Sequence, residues 1–80
     1  MNIPNYIDPR WLTSLENDEI MKAEAALHAI FHAQETAQKR RSGARYVLLE
    51  GPADLVNAWH RWSLVSNEAR HRGLVVHRRA

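Results

Sequence analysis

Between Asn17 and Gly43 the chain carries one uninterrupted helical signature, and the rest of the fold has to be built around it. Asn17-Asp18-Glu19 offers a capping residue and an acidic first turn, which suits the positive end of a helix dipole. Ile20, Ala23, Leu27, Ile30, Phe31 and Ala37 recur at the three-and-four spacing of a buried face. Lys39-Arg40-Arg41 followed by Gly43 closes the run, with cations at the negative end and a glycine free to turn left-handed. A long helix ending near Arg41 is the expectation.

Shorter elements flank it. Asp8-Pro9 reads as a cap followed by proline at the first helical position, so Trp11, Leu12 and Leu15 belong to a short N-terminal helix. The stretch ARYVLLEG (44–51), rich in Val, Leu and Tyr and closed by Gly51-Pro52, reads as a strand. Pro52 then opens a helix reaching Arg72, with Leu55, Ala58, Trp59, Trp62, Val65 and Ala69 along one side. LVVHRR (74–79) reads as a second strand. The expected class is therefore α+β in a single domain, 1–80: a short helix, a long helix, then strand-helix-strand with a small sheet. Two such strands pair in parallel through a right-handed crossover, which places the basic helix ends and Arg45 at one pole. NIPNYI (2–7) can supply a third strand, or a second subunit can pair with the open edge as a homodimer.

Composition excludes several classes of protein. There is no cysteine, so neither disulfides nor thiolate zinc sites are available, which suits a cytoplasmic location. MNIPNYIDPR has neither a basic n-region nor an apolar h-region, so no signal peptide is expected there. The longest plainly apolar run, YVLL at 46–49, is far short of a membrane span. Charge is unevenly spread. Up to residue 37, Arg10 and Lys22 face Asp8, Glu16, Asp18, Glu19, Glu24 and Glu35. Beyond it, nine cations face only Glu50, Asp54 and Glu68.

Ala58-Trp59-His60-Arg61-Trp62 interleaves aromatics with bases as a base-stacking groove does. At about 100° per residue, however, Trp59 and Trp62 fall together on the stripe of Leu55 and Ala69, and His60 and Arg61 fall outside it. The tryptophans read as core. Val56, His60 and Leu64 form a second ridge flanked by Arg61, a candidate protein contact. Among the cations, Arg40, Arg41, Arg70 and Arg72 sit where helix C-termini favour positive charge. Arg45, Arg78 and Arg79 are not explained that way and suit phosphate binding. No zinc-finger, RNP or helix-turn-helix signature accompanies them, so nonspecific affinity for nucleic acid is the most they support. His28 and His32, one turn apart with Glu24 and Glu35 nearby, are the sharpest metal candidates, but the ordered zincin spacing is absent and solvated histidines are the expectation. A glycine-rich phosphate loop, a Gly-x-Ser-x-Gly elbow and a cysteine nucleophile are all missing, so neither an enzyme nor a cofactor is expected.

One-domain length, lack of cysteine, the helix–strand order of KRRSGARYVLLEGPADLVNAWHRWSL, polarised charge and the absence of a catalytic motif together resemble the small phage-encoded anti-CRISPR proteins. That family is defined by activity and has no shared signature, so it assigns no residue a role. The resemblance implies a stoichiometric inhibitor in the host-cell cytoplasm, docking on a CRISPR effector nucleoprotein complex and blocking target DNA binding or nuclease recruitment. Two faces are available for such docking. The acidic set Glu16, Asp18, Glu19, Glu24 and Glu35 suits a basic nucleic-acid channel and is slightly favoured. The basic set, Arg40, Arg41, Arg45, Arg70, Arg72, Arg78 and Arg79 with the His60–Arg61–Leu64 ridge, suits acidic protein or nucleic acid. A small basic nucleic-acid-binding regulator is the alternative reading.

Overall fold

A computed structural model describes residues 2–79. It contains three α-helices, α1 (Pro9–Ser14), α2 (Asn17–Ser42) and α3 (Ala53–His71), and two short 3-10 turns, Gly43–Arg45 and Leu48–Glu50, between α2 and α3. Asp8 caps α1, its Oδ1 accepting the Arg10 amide at 2.8 Å, with Pro9 in the first turn. At the start of α2 the Glu16 amide donates to the Glu19 side chain at 2.9 Å, half of a capping box one residue ahead of the expected cap. Gly43, at φ 57°, ends α2 in a conformation that side chains disfavour. At the other end of the hairpin Gly73, at φ 79°, ends α3, and the Leu74 amide turns back to the Ala69 carbonyl at 2.9 Å.

The helices α2 and α3 lie antiparallel, because the chain reverses through the two 3-10 turns and Arg72 returns to the α1–α2 junction. The guanidinium of Arg72 donates to the carbonyls of Leu12 (3.0 Å) and Leu15 (2.6 Å) and to Asn17 Oδ1 (3.2 Å). Between the two helices sits the core: Ile20, Ala23, Leu27 and Phe31 from α2 against Leu55, Ala58, Trp62, Val65 and Ala69 from α3. Leu12 and Ile7 from the N-terminal segment and Leu48 from the second turn complete it. Phe31 and Trp62 stack at 5.4 Å between ring centroids. Fully burying side chains of this kind contributes about 1.5–3 kcal/mol each. The expected stripes hold in outline, but Ile30 is 43% exposed, Ala37 is exposed and Trp59 is half-buried.

The expected α+β class is overturned: among the described residues there is no strand. Residues 44–51, expected as a strand, instead run from the first 3-10 turn (Gly43–Arg45) into the second (Leu48–Glu50), which hands the chain directly to Pro52 at the head of α3. The second expected strand, residues 74–79, is engaged elsewhere. That segment runs extended along α2, where the His77 amide donates to Glu24 Oε2 (3.1 Å) and the Arg78 carbonyl meets His28 Nε2 (3.1 Å). Side chains of α2 thus take the backbone groups a ladder would have used, and a two-stranded sheet alone is marginal in water. Residues 2–7 form no third strand either, and the strand edge proposed for a homodimer disappears with the sheet. The antiparallel arrangement also separates the basic helix ends. Arg40, Arg41 and Arg45 lie at one extremity of the molecule, Arg70 and Arg72 at the other, not at one pole. None of the described helices is long and apolar enough to cross a membrane.

Candidate functional site

The acidic set does not form a face. Glu24 and Glu35 are each 2% exposed. Glu24 lies one turn from Ile20 and from Leu27 on the inner stripe of α2, and Glu35 continues the same 3–4 spacing beyond Phe31. Buried carboxylates require full pairing, and both have it. Glu24 Oε2 accepts the indole N–H of Trp62 at 2.8 Å and the His77 amide, while Oε1 lies 2.7 Å from His77 Nδ1. Burial pushes the Glu24 carboxyl up, but the hydrogen bonds from Trp62 and His77, aided by the His77 charge, outweigh it and hold the group below its ordinary value. Glu35 Oε2 accepts the Tyr46 hydroxyl (2.7 Å) and Arg79 Nε (3.0 Å), and Lys39 Nζ stands 3.7 Å from Oε1. Burial again raises this carboxyl, and Tyr46 and Arg79, with Lys39, bring it net downward. The same contact acts on the partners. Burial and then the Glu35 carboxylate raise the Tyr46 hydroxyl, and the Glu35 hydrogen bond raises Arg79. Glu16 and Asp18 remain exposed, and Glu19 is spent on the cap.

Several cations are likewise committed to the fold. Arg72 binds the α1–α2 junction and pairs with Glu68 at 2.7 Å. Arg79 closes on Glu35 with Nη2 at 2.9 Å. Arg61 Nη2 donates to the carbonyls of Ile3 (3.4 Å) and Pro4 (3.1 Å), tying down the N-terminal segment, while its Nε is buried without a partner. Exposed His60 and half-buried Leu64 join Arg61, Asn5, Tyr6 and Ile7 around an open depression of about 430 Å³. Arg40, Arg41, Arg45, Arg70 and Arg78 keep exposed side chains. The histidines stack: His28 lies between His32 (5.8 Å) and His77 (4.6 Å), with Trp62 tilted against it at 5.1 Å. Among the described residues no group of three or more acidic or imidazole side chains could hold a metal ion. His28 packs against the C-terminal segment, and His32 stacks on His28.

The segment 44–51, which carries the strand signal, leaves two aliphatic side chains on the surface. Val47 is 50% exposed and Leu49 69% exposed, while Leu48 is buried in the core and half-buried Tyr46 packs against it. Beside them, Tyr46, half-buried Trp59 and the Arg79 stem complete an open depression of about 410 Å³. Lys39 Nζ stands 5.6 Å from the centre of the Tyr46 ring, so the rim is cationic. The arrangement brings apolar area and cationic side chains together. The signal in the sequence was YVLL itself: four consecutive apolar residues without alternation, in a segment too short to hide them all. No family model, curated protein or solved structure matches the chain.

Proposed function

We propose that this chain is a protein-interaction module that docks through the Val47–Leu49–Trp59 surface. The observation that supports this reading is the pair of exposed aliphatic side chains, Val47 and Leu49, set beside a half-buried tryptophan under a cationic rim. Aromatic anchors with a polar, charged rim are the usual anatomy of a protein contact. Lys39 and Arg79 are both paired with Glu35, so the apolar side chains rather than the rim charge carry the contact. In line with the resemblance to anti-CRISPR proteins, the proposed target is a protein subunit of a CRISPR effector complex, and the proposed effect is stoichiometric blocking of DNA binding or nuclease recruitment. The acidic route to such a target is dropped, since Glu24 and Glu35 are consumed inside the fold.

One observation favours the alternative of a nucleic-acid-binding regulator. Arg40, Arg41 and Arg45 cluster at one end of the molecule, and among the described residues none of them pairs with a carboxylate. The two readings separate in one experiment. Purified protein is mixed with an effector complex, and both co-migration and target-DNA binding are measured for the wild type, Leu49→Asp and an Arg40/Arg41/Arg45→Ala triple variant. Leu49 is exposed, so its replacement leaves stability within about 0.5 kcal/mol. Loss of co-migration in Leu49→Asp alone supports the docking reading. Direct, steeply salt-dependent DNA binding that only the arginine variant loses supports the alternative. An effector complex that ignores the wild-type protein removes the CRISPR target.

A further inference from the structure

The polar groups around Glu24, Glu35 and Arg72 are consumed by the fold, but those around the N-terminal depression are not. Asn5 and Tyr6 from the N-terminal segment face Asn57, His60 and Arg61 from α3 around a space of about 430 Å³. Among the described residues, the side chains of Asn5, Tyr6, Asn57 and His60 make no hydrogen bond to the protein, and all four are exposed. Half-buried Arg61 spends Nη2 on the carbonyls of Ile3 and Pro4. Its Nη1 is open to solvent and, among the described residues, has no acceptor. No carboxylate lines the depression, and among the described residues none pairs with Arg61. A cleft that carries one sign of charge draws a ligand of the other sign, and a guanidinium suits a phosphate.

The aromatic beside this cation is Tyr6, whose ring is 76% exposed. It is presented there by its neighbours: Ile7 is buried in the core, and Arg61 holds the carbonyls of Ile3 and Pro4. The pairing of aromatic and base that AWHRW suggested within one helix is thus met across two segments, with Tyr6 in place of the inward-facing Trp62. An exposed ring beside an arginine is a platform on which a base stacks. Each asparagine amide sets a donor and an acceptor side by side, which matches the edge of a base. An acidic peptide would engage the guanidinium but would leave Tyr6 and both amides without a role. We infer that this depression seats one nucleotide unit of a single-stranded nucleic acid, its base on Tyr6, its base edge at Asn5 and Asn57, and its phosphate on Arg61. A duplex is a poor ligand for such a site, because its base faces are already stacked. The site shares no residue with the Val47–Leu49–Trp59 surface or with the Arg40–Arg41–Arg45 end, and it stands independently of both.

The test is fluorescence anisotropy of the full chain with labelled oligo(dA) and oligo(dT) strands of about 10 nucleotides, a length such grooves cover. The duplex of the two strands and an oligoglutamate peptide of similar charge are measured beside them. Arg61 also ties down the N-terminal segment, so exposed Tyr6 and Asn57 are the deciding positions; their replacement leaves helical circular dichroism unchanged. The expected result is binding of a single strand that weakens with salt and weakens at least about fivefold in Tyr6→Ala. Tyr6→Phe, which keeps the ring, is expected to retain it. In NMR titrations the side-chain amide signals of Asn5 and Asn57 should shift with the strand and not with oligoglutamate. Absence of binding to either strand, undiminished binding by Tyr6→Ala, or tighter binding of the duplex overturns the inference. So does oligoglutamate shifting the same amide signals, which would make the ligand an acidic peptide. Binding lost only in the Arg40/Arg41/Arg45→Ala variant places the contact at the end of α2 and overturns it as well.

Discussion

Replacing Glu24 with alanine removes the acceptor at the centre of the molecule, and its cost follows from what is left behind. The Trp62 indole N–H loses its partner inside a side chain only 5% exposed, where water cannot substitute. An orphaned buried donor of this kind costs about 1–3 kcal/mol. The His77 amide and imidazole also lose a partner, but that side chain is 52% exposed and turns to solvent, so its share is small. The expected total is about 2–4 kcal/mol. At roughly 4–8 °C per kcal/mol for a domain of this size, the midpoint of thermal unfolding should fall by about 8–32 °C. Urea denaturation monitored by Trp fluorescence measures the same loss. A double-mutant cycle with His77→Ala should return a coupling of about 0.5–2 kcal/mol, since the two side chains touch. A Glu24→Ala protein within 0.5 kcal/mol of the wild type, or a cycle with zero coupling, would refute the reasoning.

Two further outcomes are expected. Glu24 and Glu35 both have folded-state pKa values below the ordinary 4.5, so their contribution is fully present above that value and is lost as pH falls through the lowered values. Denaturation midpoints should therefore fall steeply below about pH 4.5, and a Glu24→Gln/Glu35→Gln variant should show a shallower acid slope. Arg72→Ala should destabilise by about 2–3 kcal/mol, because it unties the end of α3 from Leu12 and Leu15, whereas exposed Arg70→Ala should stay within about 0.5 kcal/mol; chemical denaturation of the pair distinguishes a structural guanidinium from a surface one.

The helices were legible because their ends are marked locally. Asp8-Pro9, the acidic turn at Glu19, Gly43, Pro52 and Gly73 each fix a boundary through the backbone conformation or the orphan amide they satisfy. Trp62 was legible as core for the same periodic reason. Residues 44–51 and 74–79 carry a strand signal without forming one, because Val, Leu and Tyr favour a strand only when another strand is there to pair with it. The roles of Glu24 and Glu35 were hidden differently. Their positions on the 20–24–27–31–35 spacing marked them as inward, but the groups that make burial tolerable, His77 and Arg79, lie 53 and 44 residues away. That pairing is a property of the folded chain. It also explains why charge counted along the sequence does not tell which acids reach the surface: Glu24 and Glu35 face inward, whereas Glu16 and Asp18 stay exposed.

Amide hydrogen exchange by NMR across residues 44–51 and 74–79 tests this account most directly. If the C-terminal segment is held on α2 by its side chains, the His77 amide, bonded to Glu24, should be protected and its neighbours at Val75 and Val76 should exchange rapidly. Replacing Glu24 with glutamine should weaken that single protection. Alternating protection shared between 46–49 and 74–79, as a paired sheet requires, would contradict it.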